Sequence, residues 1–329
     1  MMLPKFYTLL PLLVSLALAG DLKVQRDKSV EATHGHKDGQ YVWSSIVDVD
    51  FGLKETDAKK KEEELNGKMV KIAHEASKEM RDDFSHILSS VPKDKRPSIM
   101  TAIEVDNQVY LASSMKGDYS FIYEYKTKDK GGKVGDGTIR KSVPKEIATA
   151  LGGARAAGAA QHRNNVQHQN DASCGELMAS YTWLLKNHGK SLKDKKPKRT
   201  IAWLYTGTVD QAHDPCGTDE ATWGCDMFCK SMGFEVINKK TVEAKELPTI
   251  KGHDHQKLMT PALRKELDDM NKAIDEENKR KQKEKSDKKK AEKEQNKNKH
   301  DDKKDDKKAD KKGHKGHGHK REQARSWSA

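Results

Sequence analysis

The chain has 329 residues, 34% of them apolar and 35% charged, with a formal net charge of +12 at pH 7. That length allows one or two domains. No stretch beyond the N-terminus approaches the roughly 20 consecutive apolar residues that a bilayer core requires, which excludes a multi-span membrane protein.

Residues 1–19 place Lys5 ahead of the apolar run Leu9-Leu10-Pro11-Leu12-Leu13-Val14-Ser15-Leu16-Ala17-Leu18. Ala17-Leu18-Ala19 follows as a small-x-small cleavage pattern. This is the layout of a secretory signal peptide, so the expectation is a secreted, extracellular protein without stable membrane insertion. Residues 20–55 read as a polar leader that runs into a strand or extended arm, Tyr41 to Phe51, rich in β-branched and aromatic side chains.

Residues 56–250 hold the expected globular domain. From Thr56 to Leu88, Leu65, Met69, Ile72, Ala73, Ala76, Met80, Phe84, Ile87 and Leu88 recur at helical spacing and make one apolar stripe. Asn66-Gly67 marks a break in it or the start of its packed portion. Ile99 to Ser114 flanks Asp106-Asn107 with branched residues, the pattern of a β-hairpin. Phe121 to Tyr125 reads as another extended run, and Pro144 to Leu151 as a helix closed by Gly152-Gly153. Glu176 to His188 carries an apolar face and Thr200 to Thr206 is a buried-strand pattern. Cys225 to Met232 predicts a short helix stopping at Gly233, and Phe234 to Ile237 a last strand. The order is mixed α and β, a sheet with helices packed on it.

Residues 251–329 read as a disordered Lys/His-rich tail. Between Lys281 and Lys320 stand 17 lysines, 9 Asp or Glu and 4 histidines, with too little apolar surface to offset chain entropy. Such a segment contacts polyanions through counterion release or simply solubilises the chain. His314, His317 and His319 offer a loose transition-metal site.

The cysteines carry the chemistry. Cys174, Cys216, Cys225 and Cys229 are the four in the chain, an even number that in an exported protein fits a disulfide framework. Three thiolates with a non-ligating carboxylate, Glu176, fit a hydrolytic zinc centre instead. Cys225 and Cys229 lie one helical turn apart, so Cys229 can replace Cys225 or add a fourth ligand, and four thiolates would make a closed structural site. Ser173-x-x-Glu176 also matches a capping box.

At Cys174-Gly175-Glu176 and Pro215-Cys216 the chain resembles the cytidine deaminase-like superfamily, in particular its divergent secreted, toxin-type members. The family signature is His or Cys, any residue, then Glu at one helix start, and Pro-Cys-x-x-Cys at the next. Here eight residues, Gly217 to Gly224, separate Cys216 from Cys225. The element order (hairpin, Cys-x-Glu helix, strand, Pro-Cys helix, strand) is similar too. The resemblance implies a three-layer α/β/α sandwich and hydrolytic deamination of a nucleobase, in a nucleotide or a nucleic acid. It implies Zn2+ held by Cys174, Cys216 and Cys225, with Glu176 moving the proton and a toxin or effector role. Ser113, at the hairpin end beside Ala112 and Ser114, would by position contact the base. Trp223 stacks on the base or packs in the core. His162, Asn164, Asn165 and His168 line the site's mouth or form a solvated loop, and His213 and Asp214 support the ligands or form a turn. The competing expectation is a non-enzymatic secreted interaction protein: a disulfide-stapled domain with a basic tail.

Overall fold

The computed structural model describes residues 21–31, 40–86, 91–117, 120, 122–124, 138–161, 168–218, 222–238 and 242–310. In chain order its elements begin with β1 (Gln25–Arg26), β2 (Trp43–Asp50), α1 (Ala58–His86), β3 (Ile99–Val105) and β4 (Gln108–Ser113). Then come β5 (Tyr123–Glu124), β6 (Thr138–Ile139), α2 (Lys145–Ala160), α3 (Gly175–Lys186) and β7 (Lys198–Tyr205). β8 (Asp210–His213), α4 (Cys225–Met232), β9 (Glu235–Val236), β10 (Thr249–Asp254) and α5 (Pro261–Asp310) complete the described part. The chain divides into two units, Met1–Asp269 and Met270–Ala329. No helix among the described residues is long and apolar enough to cross a membrane. Residues 1–19, expected to be a signal peptide, lie outside them.

Eight strands form one sheet, ordered β1-β2-β4-β3-β7-β8, with β10 added to β2 and β9 to β7. Its pairs are antiparallel except β7 with β9. Asp106 and Asn107 both take left-handed backbone, φ +55° and +61°, the conformation a two-residue hairpin loop requires. That turn sets Val105 opposite Gln108 and Met100 opposite Ser113. Because side chains alternate, Met100 and Ala102 join the core cluster containing Met69, Ile72, Ala73, Ala76 and Met80 of α1. Thr101, of the opposite parity, meets Gly175 at the start of α3.

Several boundaries differ from the sequence expectation, each for a packing reason. Of the two readings of Tyr41 to Phe51, strand or arm, the strand holds, and β2 is internal, with β4 on one edge and β1 and β10 on the other. Residues 21–31 are not a flexible leader. Leu22 and Val30 are fully buried, and Ser29 and Asp27 hold the segment that precedes and starts α5 through Met259 N (3.2 Å) and Leu258 N (2.7 Å). The globular unit therefore extends past 250, since Leu258, Leu263 and Leu267 bury an apolar stripe that the charged surroundings hide. α2 runs through Gly152-Gly153 to Ala160; its small residues admit close packing, and Gly158 lies against the Trp223 side chain. Of the expected run Phe121 to Tyr125, the described strand is Tyr123–Glu124, paired with β6.

In the second unit the tail is helical through Asp310 rather than disordered. Lys, Glu, Gln and Ala cost little in a helix, and Glu277–Lys281 forms an i,i+4 ion pair at 2.6 Å, of a kind that adds a few tenths of a kcal/mol. Residues 311–329, with His314, His317 and His319, lie outside the described part.

α1 is continuous through Asn66-Gly67. A Cβ at Gly67 would meet the Lys245 side chain and stand 2.7 Å from the Glu243 carbonyl, where Lys245 N donates to Gly67 O at 3.0 Å. Helix propensity favours Ala over Gly by about 1 kcal/mol. Crowding from backbone opposes it here, so Gly67→Ala is expected to lower the urea unfolding midpoint. A raised midpoint would contradict the contact. Ile72→Ala, deep in the same helix, is expected to cost about 2–5 kcal/mol in that assay.

Candidate metal centre

α3 begins abruptly. Cys174 is its N-cap, with extended backbone (φ −75°, ψ 153°), and no side chain caps the helix. The capping box expected from Ser173 and Glu176 is therefore not formed. Ser173 sits one residue too early, and its carbonyl accepts from Met115 N at 2.8 Å. Glu176 becomes the second helical residue and is buried, 4% exposed. Gly175 explains the placement: a Cβ there would collide with Thr101 Oγ1 and stand 2.8 Å from the Ala112 carbonyl. The glycine lets the helix start press onto the β3–β4 hairpin, which aims Cys174 and Glu176 at one region.

α4 supplies the second half. Cys225 is its first residue. Gly224 precedes it with a Cβ position 2.9 Å from Cys216 Sγ, so only a residue without a side chain lets Cys216 come this near. Cys225 N donates to Cys216 Sγ at 3.2 Å and Asp226 N to Cys216 O at 2.9 Å. The long Cys216–Cys225 spacing is thus closed by the helix N-terminus folding over the first cysteine, consistent with the slow growth of loop entropy with length.

The thiols converge. Cys174 Sγ lies 3.1 Å from Cys216 Sγ, and the ligand atoms of Cys174, Cys216, Cys225 and His168 all fall within 4.8 Å of one another. A tetrahedral zinc with Zn–S bonds of about 2.3 Å separates its sulfurs by about 3.8 Å, so the donor chemistry and spacing fit that ion and the four residues could hold a metal. All four cysteines are free thiols. A two-disulfide framework would need Cys229 to pair with one of the other three. Cys229 is instead fully buried in α4, outside the cluster, and burial pushes its thiol pKa well up. His168, 1% exposed, stands where Cys229 was expected as a fourth donor.

Electrostatics inside the cluster favour one thiolate in the absence of a cation. Hydrogen bonds from Cys174 and then Cys225 pull the Cys216 pKa down. The same bond raises that of Cys174, and burial raises that of Cys225. A bound divalent cation deprotonates a coordinating thiol outright, and the helix starts at Cys174 and Cys225 favour thiolate as well. Burial, followed by the Cys216 charge, pushes the Glu176 carboxyl up to about 7.

A cavity of about 330 Å³ opens beside the cluster, lined by Cys174, Cys216 and Glu176 together with Ser114, Asn170, His213 and Asp214 among others. Ser113, expected by position to touch a base, and Trp223, read as stacking on a base or packing in the core, are not on its wall. Ser113 is fully buried, with its Oγ accepting from Trp43 N (2.9 Å) and donating to Ser114 O (2.9 Å). Trp223, 1% exposed, sets its ring edge-on to His168, centroids 5.0 Å apart at 86°. Ser114, weighed beside Ser113, is the hairpin-end residue that lines the cavity. His162, Asn164 and Asn165 lie outside the described residues. His168 was the residue hardest to read from sequence, because no spacing rule links it to Cys174.

No family model, curated protein or solved structure matches this chain.

The cluster makes a direct prediction. Purified protein should carry one zinc per chain by elemental analysis, and Cys174→Ser or Cys216→Ser should remove most of it. Cys229→Ser should leave the stoichiometry unchanged. Equal zinc loss from Cys229→Ser would contradict the ligand set.

Proposed function

We propose that this chain is a secreted, zinc-dependent hydrolase that removes ammonia from a nucleobase in a nucleotide or nucleic acid. The observation that carries the reading is the clustering of three thiols whose sulfurs lie within 4.8 Å of one another, with Cys174, Cys216 and the Glu176 carboxyl lining one cavity beside them. Cys174, Cys216 and Cys225 would hold the ion. When bound, zinc supplies Lewis acidity and a nucleophilic water at neutral pH. Glu176 takes up the water's proton and passes it to the departing amino group, so that base and water yield the keto base and ammonia. Burial keeps its carboxyl away from bulk solvent during that transfer. Asn170, Ser114, His213 and Asp214 offer polar groups to orient the base.

The fold supports the same reading. The hairpin β3–β4, α3, β7, α4 and β9 occur in the order the resemblance implies, with β5, β6 and α2 inserted before α3 and β8 before α4. α1 joins the core cluster on the Met100 and Ala102 side, and α3 meets Thr101, as a three-layer α/β/α arrangement requires. Export rests on the signal-peptide pattern, and a toxin or effector role on export combined with nucleobase chemistry. The lysine-rich charged helix is the part proposed to contact polyanions.

A closed structural zinc site is the second reading, favoured by the presence of His168 as a fourth potential donor. Glu176→Gln separates the two. The deaminase reading predicts unchanged zinc content and ammonia release lowered by about 10²–10⁴-fold, assayed over nucleosides, nucleotides and single-stranded oligonucleotides. A wild-type chain that carries zinc and releases no ammonia from any of them would favour the structural site. Metal-free protein with oxidised cysteines would return the account to a disulfide-stapled interaction domain.

A further inference from the structure

The four-donor cluster contains a constraint on its histidine. His168 Nδ1 accepts two backbone N–H groups, from Asn170 and Ala172, each at 3.1 Å. A ring nitrogen that accepts in this way carries no proton, so the ring proton sits on Nε2. Nε2 faces Cys225 Sγ at 3.6 Å and Cys216 Sγ at 3.9 Å. A histidine that ligates a metal shows the reverse arrangement, donating its other ring N–H to an acceptor. Flipping the ring would set a carbon against both amides and leave them without that acceptor, the Ala172 amide in a buried position.

The backbone is bent to enforce this. Asp171 and Ala172 both adopt left-handed conformations, φ +52° and +55°, and Ala172 is fully buried. Non-glycine residues in this region are strained and persist where the surroundings dictate them. The two-residue turn brings both amides onto Nδ1, and Trp223 packs edge-on to the ring.

We infer that His168 is a hydrogen-bond donor to the cluster thiolates rather than a metal ligand, a positioning residue that leaves the ion three protein donors. This rests on the reading of Cys174, Cys216 and Cys225 as a metal centre. Each sulfur then has an N–H of its own: Asn170 Nδ2 to Cys174 at 3.6 Å, the Cys225 amide to Cys216 at 3.2 Å, and His168 Nε2 to Cys225 at 3.6 Å. Three thiolates and a divalent cation leave one net negative charge in a buried site, and donors to the sulfurs offset it. The fourth coordination position has no protein donor, as a hydrolytic centre requires and a structural one does not.

Zinc K-edge X-ray absorption on the zinc-loaded full-length chain tests this. The expected shell is three sulfurs at about 2.3 Å and one light atom, without outer-shell imidazole scattering. An imidazole signature overturns the inference but leaves the metal centre standing. Failure to take up zinc overturns both. A three-sulfur shell without ammonia release counts against the deaminase reading alone. Long-range ¹H–¹⁵N correlation of the His168 ring gives a readout independent of zinc: a proton on Nε2 is expected, and one on Nδ1 overturns the assignment. His168→Gln, which keeps an N–H donor, is expected to retain zinc stoichiometry. His168→Ala should weaken zinc affinity by roughly 10–100-fold, and abolition of zinc binding by both variants in folded protein would contradict the donor role.

Discussion

The site depends on one close approach: the first turn of α3 pressed against the β3–β4 hairpin, with no room for a side chain at position 175. The hairpin's left-handed turn at Asp106-Asn107 sets the register that puts Thr101 and the Ala112 carbonyl beneath the helix start. Cys174 and Glu176, flanking the glycine, are thereby turned toward the same region. A second glycine, Gly224, plays the matching part at α4 by letting Cys216 nestle against that helix's N-terminus. Two tight helix starts, each made possible by a missing Cβ, bring three sulfurs and a carboxyl together.

Buried thiols and a buried carboxyl are costly neighbours, and the surroundings show how the cost is met. Amide and side-chain N–H groups reach each of the three cluster sulfurs. The strained Asp171-Ala172 turn orients His168 instead of contributing to any regular element. Such strain is maintained when the surrounding structure over-determines it, and here the two amides it directs are both engaged by a single ring nitrogen. Cys229, by contrast, lies fully buried in α4 outside the donor cluster, the usual place of a buried free cysteine.

Much of this was legible in the amino-acid pattern where local chemistry decides structure. The hairpin turn, the α4 helix ending at left-handed Gly233 and the Cys-x-Glu helix start all followed from residue types at short spacing. What escaped depended on partners distant in sequence. Residues 21–31 are ordered because Leu258 and its neighbours dock on them, and the partner that packs on Gly67, where the buried part of α1 begins, is the distant 243–245 segment. The charged composition of the C-terminal segment concealed both that docking stripe and a helix held by Lys, Glu and Ala. His168 escaped for a different reason. Its position is set by a left-handed turn formed without glycine, which leaves no compositional mark. Ser113 was placed at the base by family position, whereas its own hydrogen bonds draw it into the interior; of the two readings of Trp223, base stacking or core packing, the side chain is buried.

The central claim is that Cys174, Cys216 and Cys225 form one metal centre. Anomalous X-ray diffraction from crystals of the protein, recorded on both sides of the zinc absorption edge, tests it most directly. The account predicts a single strong peak equidistant from those three sulfurs, with Cys229 remote from it. Absence of a peak, together with continuous density joining Cys174 Sγ and Cys216 Sγ as a disulfide, would contradict it.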